Sequence, residues 1–235
     1  MKAVSFDVWS TLLDIDVFYR FIAEALSEVN GQSPQEVFPS LRKAYSAVKD
    51  ARRKSLIRED DVVGSSTEVF LGSLGSFSKY ELYWAVSRAV NRVPGERLLL
   101  PGATEVLESL ASQGYRLAVT SNVIFWPGYV TRILLDKSGL GRFFKVQVYA
   151  DEVKALKPSS KPFLEMLRAI GSEPREAVHV GDSPQEDLAG ALNAGMAVIL
   201  VERDGGQKII YEKIRIAVVS SLLDVPEAVE HLLKE

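Results

Sequence analysis

Two short stretches of this chain place a carboxylate where an apolar run stops. The first reads Phe6-Asp7-Val8-Trp9-Ser10-Thr11-Leu12, the second Val178-His179-Val180-Gly181-Asp182-Ser183-Pro184-Gln185-Glu186-Asp187. An open parallel sheet gathers the C-terminal ends of its strands along one edge, and ligands bind in the crevice there. Carboxylates this far apart in sequence can therefore meet in space. Asp7 and Asp182 would then suit a hard divalent cation, since Mg²⁺ takes oxygen ligands and usually keeps several waters. The chemistry expected is metal-assisted.

The elements that must position these groups can be read from periodicity. Met1 to about Leu13 reads as a buried strand and a loop. Asp14 to Asn30 carries Val17, Phe18, Phe21, Ile22, Ala25 and Leu26 at helical spacing, and Ser33-Pro34-Gln35-Glu36 is a capping box with Pro at the first helical position. Two more helices are expected over roughly Asp60 to Leu74 and Ser78 to Val93, the latter opened by Ser78 with Glu81 three residues on. From Pro101 the pattern alternates. Helices are expected to about Gln113, through Thr131 to Leu135, over Ser160 to Ile170 and from about Gln185 to Asn193. Strands are expected over Arg116 to Ser121, Phe144 to Ala150, Ala177 to Gly181, Ala197 to Val201 and Ile216 to Val219. Such alternation predicts an α/β fold, a doubly wound, Rossmann-like parallel-sheet core formed by 1–14 plus 97–235, with an all-helical cap inserted over 15–96.

Four motifs in this order make the chain resemble the haloacid dehalogenase-like (HAD) hydrolase superfamily with a helical cap. They are Asp7 after the first strand, Ser121 in Leu117-Ala118-Val119-Thr120-Ser121-Asn122, Lys157 in Lys154-Ala155-Leu156-Lys157-Pro158, and the acidic pair Asp182 and Asp187. The resemblance implies that Asp7 is the nucleophile of a phosphatase, forming an aspartyl-phosphate. It implies Mg²⁺ held by Asp7, Asp182 and the backbone carbonyl of Trp9, with Asp187 orienting a metal-bound water or pairing with Lys157. Lys157 would hold Asp7 and the transferring phosphoryl group by charge, and Ser121 would donate to a phosphoryl oxygen. Thr11 would shape the loop after the first strand and, with Asn122 and Arg42, face the substrate.

Trp9 departs from the phosphatase pattern, in which that position is usually an Asp that protonates the leaving alcohol. General acid help is typically worth ~10²–10⁴-fold, so substrates with an acidic leaving group are favoured. The family's metal-free 2-haloacid dehalogenases carry an aromatic residue there, and Ser121-Asn122 and Arg42 agree with them. Against that alternative stand Asp182, where dehalogenases have a small neutral residue, and Pro184, where they have Asn. A further alternative is a catalytically weak binding module that keeps the fold.

The remaining composition narrows the classes. Apolar residues make up 47% and charged residues 25%, as in a globular protein, and there is no cysteine, so neither nucleophile nor ligand can be sulfur. With 28 basic and 31 acidic residues the net charge is −3, and no basic stripe suggests nucleic acid. Arg52-Arg53-Lys54, the densest basic run, reads as a solvated helix face. No run is long enough for a membrane span and no secretory signal is seen, so a cytoplasmic enzyme with a small-molecule substrate is expected. His179 reads as a satisfied core residue. Oligomeric state is left open.

Overall fold

A computed structural model describes residues 1–205 and 208–234. Seven strands form one sheet: β1 (Ala3–Phe6), β2 (Arg116–Ser121), β3 (Phe144–Tyr149), β4 (Ala177–Gly181), β5 (Ala197–Val201), β6 (Ile209–Tyr211) and β7 (Ile216–Val219). Their order is β3-β2-β1-β4-β5-β7-β6, all pairings being parallel except that of β6 with β7. The connections between parallel neighbours run through α5 (Ala103–Ser112), α6 (Gly128–Lys137), the short α7 (Ala150–Val153), α8 (Lys161–Ile170) and α9 (Ala189–Asn193), and α10 (Val225–Leu232) closes the chain.

β1 and β4 are buried along their whole length, which is why they read as short continuous apolar runs rather than alternating ones. β1 sits between β2 and β4, with Phe6 level with Val119 on one side and Val180 on the other. Sequence order reverses at β1, so the crevice at its C-terminal end lies between the loops after β1, β2 and β4. Asp7, Ser121 and Asp182 all belong to that edge.

Between β1 and β2 the chain forms four helices, α1 (Ile15–Asn30), α2 (Pro34–Arg53), α3 (Val62–Leu74) and α4 (Lys79–Arg92). The sequence signals for their starts are visible as bonds. Asp14 caps α1 by accepting from the backbone N–H of Asp16 at 2.8 Å, Ser78–Glu81 is a reciprocal capping box, and at the start of α2 Glu36 accepts from both the N–H and the hydroxyl of Ser33 at 2.9 Å. α1 packs on α2 and α4, and α2 packs on α3. The two passages between these helices and the sheet lie side by side: Asp14 N donates to the Leu98 carbonyl at 2.7 Å, and Leu100 N to the Leu12 carbonyl at 3.0 Å. Among the described residues no helix is long and apolar enough to cross a membrane.

Two local features depart from the expected elements. β6 is an added antiparallel edge strand, three residues long and thus too short to show a period. The helix expected from Gln185 opens instead with a π-helical turn, Pro184–Leu188, before α9. That wider turn carries Asp187 back over Gly181, where a Cβ would lie 2.2 Å from the Asp187 Cγ. The glycine at the end of β4 therefore makes room for a carboxylate.

Candidate active site

Lys157 is the centre of the site. Its ammonium is 2.8 Å from Asp7 Oδ1 and 2.5 Å from Asp187 Oδ1, and it also donates to the Thr120 carbonyl at 3.0 Å. The side chain is only 2% exposed, and a lysine so buried needs just such partners to remain charged. Although burial works against the charged form, Asp187 and Asp7 together hold Lys157 well above its ordinary value. Burial would also raise Asp187, but Lys157 and His179 outweigh it and keep that carboxyl well below the usual range.

Asp187 is fully engaged. Besides Lys157 it accepts from Ser183 N at 2.9 Å and faces His179 Nε2 at 3.1 Å. His179 Nδ1 meets Ser5 Oγ at 3.1 Å, and Ser5 Oγ meets Thr120 Oγ1 at 2.8 Å. One assignment satisfies the chain: Nε2–H donates to Asp187 and the Ser5 hydroxyl donates to Nδ1. His179 is neutral in it, in keeping with burial, which lowers its pKa. Ser5, Thr120 and His179 thus form a polar thread beneath the site that sequence reasoning did not connect; three polar residues inside otherwise apolar strands were the signal.

Asp7 and Asp182 are less well matched. Burial pushes Asp7 up to about 6 despite Lys157, and burial, with Asp7 and Asp187 nearby, pushes Asp182 up to about 7. Asp7, Asp182 and Asp187 each offer an oxygen within 4.8 Å of the others. With Asp187 committed to Lys157, Asp7 and Asp182 are left as hard oxygen donors short of positive charge, a set that fits Mg²⁺. Among the described residues no backbone donor lies on the Trp9 carbonyl, although the loop bonds the carbonyls of Val8, Ser10, Thr11, Leu12 and Leu13. It is available as a third ligand.

The other expected residues divide. Ser121 lines the cleft beside Asp7 and donates to the Asn122 carbonyl at 3.1 Å. Asn122 also lines it, but its amide is held at both ends: Oδ1 accepts from Lys157 N at 2.9 Å and Nδ2 donates to Glu186 at 2.9 Å. It brackets the Lys157 and Glu186 loops together. Thr11 is buried with its hydroxyl 3.4 Å from Asp182 Oδ1, so it addresses a carboxylate. Arg42 is not brought to the site. Half-exposed on α2, it pairs with Asp16 at 2.7 Å.

In its place, the α2 wall of the cleft is made by Tyr45, Lys49, Arg52 and Arg53. Arg52 corrects the reading of a solvated basic run: its side chain is 6% exposed and reaches across to the Val123 carbonyl and toward Glu186. The spacing 45, 49, 52, 53 falls on one helical face, and that periodicity was the available signal. Trp9 is buried too, stacked on Phe18 with centroids 5.6 Å apart and edge-on to Trp126 at 5.5 Å. Both indole N–H groups donate to the hydroxyl of Thr131 at 3.3 Å. Trp126 is therefore packing at the junction of α1 with the sheet.

The model of one family, haloacid dehalogenase-like hydrolase, matches residues 1–195. The chain belongs to that family. Among its HAD relatives is a glyceraldehyde 3-phosphate phosphatase of Methanothermobacter thermautotrophicus, 31% identical over 209 residues and covering 87% of each chain. Among solved structures, a HAD phosphatase from Thermococcus onnurineus is similar with a TM-score of 0.65 at 28% identity, over 97% of both chains. An L-2-haloacid dehalogenase from Xanthobacter autotrophicus superposes with a TM-score of 0.69 over 98% of both chains at 22% identity, a likeness of fold alone.

Proposed function

We propose that this HAD hydrolase is a Mg²⁺-dependent phosphatase that cleaves a small phosphorylated molecule through an aspartyl-phosphate on Asp7. The observation that carries the reading is the pair of under-neutralised carboxylates, Asp7 and Asp182, beside a lysine already matched by Asp187. The phosphatase relative supports the same reaction class.

Asp7 would hold the metal with one oxygen and attack phosphorus with the other, while Lys157 fixes the carboxylate and offsets the charge arriving with the phosphoryl group. Bound Mg²⁺ would supply charge neutralisation to the phosphoryl oxygens, held by Asp7, Asp182 and the Trp9 carbonyl. Ser121 would donate to a phosphoryl oxygen. As the Asp7–phosphorus bond forms, the bond to the leaving oxygen breaks, and that oxygen must take its proton from solvent because Trp9 has none to give. Water then cleaves the aspartyl-phosphate and returns Asp7. We read α1–α4 as the cap, residues 15–96 over a core of 1–14 and 97–235, closing on the cleft and excluding bulk water, in a cytoplasmic enzyme.

A metal-free dehalogenase reading draws on Trp9, but it leaves Asp182 facing Asp7 with no cation between them. A p-nitrophenyl phosphate assay with Mg²⁺, with and without chelator, run beside halide release from 2-chloropropionate, separates the two. Phosphate release abolished by chelator is expected, and halide release indifferent to chelator would overturn the proposal.

A further inference from the structure

The α2 wall of the cleft carries more positive charge than phosphoryl transfer at Asp7 uses. Arg52 is the informative residue. Its Nη2 donates to the Val123 carbonyl, its Nη1 stands 3.6 Å from Glu186 Oε1, beyond hydrogen-bond reach, and its buried Nε has no partner among the described residues. Buried donors are ordinarily satisfied, and a guanidinium presents five of them in a rigid fork suited to carboxylate or phosphate. A guanidinium this buried, lining the cleft with its ion pair to Glu186 stretched to 3.6 Å and its Nε unpartnered, is placed to meet an anion.

Its neighbours add to the field. Lys49 Nζ lies 4.8 Å over the Tyr45 ring, and Arg53 touches Asp50 at 3.2 Å on the exposed side. Glu186 is the carboxylate that faces this wall, and the Asn122 amide holds it at 2.9 Å on the opposite side. Lys157, shared between Asp7 and Asp187, adds no unpaired charge to this wall. With Arg53 paired to Asp50, Arg52 and Lys49 face Glu186 across the opening, whose floor carries the carboxylates of Asp7 and Asp182. The cleft is small, about 220 Å³, below the usual range of sites for drug-sized ligands.

We propose that this wall receives a second anionic group of the substrate, a carboxylate or phosphate a few bonds from the reacting phosphoryl group, with Arg52 as its principal contact. The substrate class is then a small phosphorylated acid or bisphosphate, in keeping with a cleft of about 220 Å³. The inference rests on the phosphatase reading and narrows it.

Competition against p-nitrophenyl phosphate hydrolysis tests it, because each competitor is read whether or not it turns over. 3-Phosphoglycerate and glycerol 3-phosphate differ in a carboxylate against a hydroxymethyl group, and propane-1,3-diol bisphosphate and its monophosphate differ in the distal phosphate. In one pair or both, the member with the second anionic group is expected to bind roughly tenfold or more tightly, the scale of a charge-assisted hydrogen bond. Which pair shows it identifies the distal group. Arg52→Gln should bring that ratio toward one, Arg52→Lys should restore part of it, and Lys49→Gln with Arg53→Gln, both nearer solvent, should reduce it in a protein that keeps its fold. Equal inhibition within both pairs, with p-nitrophenyl phosphate still hydrolysed, would overturn this inference alone. Failure to hydrolyse p-nitrophenyl phosphate at all would overturn the phosphatase reading and this one with it.

Discussion

Trp9 and Lys157 are the residues whose chemistry decides the most. Restoring an aspartate at position 9 looks from sequence like a way to return the missing proton donor. The packing argues otherwise, since the indole fills the space between Phe18 and Trp126 and its N–H is satisfied by Thr131. Trp9→Asp removes a large buried aromatic, worth on the order of 3–5 kcal/mol, and leaves a carboxylate among rings. Urea unfolding is expected to show a loss of that size, while Trp9→Phe, which keeps a ring on Phe18, loses less. A second test at this scale concerns charge. Lys157→Met leaves Asp7 and Asp187 buried without their shared cation, so it should abolish phosphate release and cost about 3–5 kcal/mol in the same experiment.

At the scale of elements, the turn after β4 sets where Asp187 stands. Gly181→Ala adds no charge and removes no functional group, yet its Cβ would meet Asp187 at 2.2 Å. Asp187 must move, and with it Lys157, so kcat for aryl phosphate hydrolysis should fall at least tenfold, on the scale of a positioning defect near the chemistry. Wild-type kcat in this variant would show that the turn does not position the pair.

This is also the scale at which the sequence was most and least legible. Asp7, Ser121 and Asp182 could be placed because each follows an apolar run whose end must fall on one sheet edge. Lys157 could be placed only by its motif, since nothing local says that a lysine before Pro158 is buried. The π-turn could not be read, because Pro184 to Leu188 has the composition of an ordinary helix start. Arg42 and Arg52 exchanged expectations for one reason. Both lie on the same helix, and which turn of α2 overhangs the cleft depends on how α2 packs on α1 and α3, which no local pattern specifies.

For the molecule as a whole, the site is a local instability that a bound cation would relieve. Asp7 and Asp182 have folded-state values near 6 and 7, against 3.8 ordinarily. The native state therefore binds protons more tightly than the unfolded chain between about pH 4 and 7, and stability contributed by these groups is lost as pH rises through that window. Asp187, displaced downward, works in the opposite sense but at lower pH. Without Mg²⁺, the melting temperature should carry a falling contribution from this site across that range. The cation needs the deprotonated carboxylates, so the rise in melting temperature that Mg²⁺ produces should be larger near pH 8 than near pH 5. A Mg²⁺ shift independent of pH would remove Asp7 and Asp182 from the binding site.

The central claim, that Asp7 carries the phosphoryl group, is tested most directly by acid-quenching the enzyme during turnover of p-nitrophenyl phosphate with Mg²⁺ and mapping the adduct by peptide mass spectrometry. The account predicts a phosphoryl group on the peptide containing Asp7, absent with chelator and absent in Asp7→Asn. Turnover that proceeds with no adduct on that peptide, or that persists in Asp7→Asn, would contradict it.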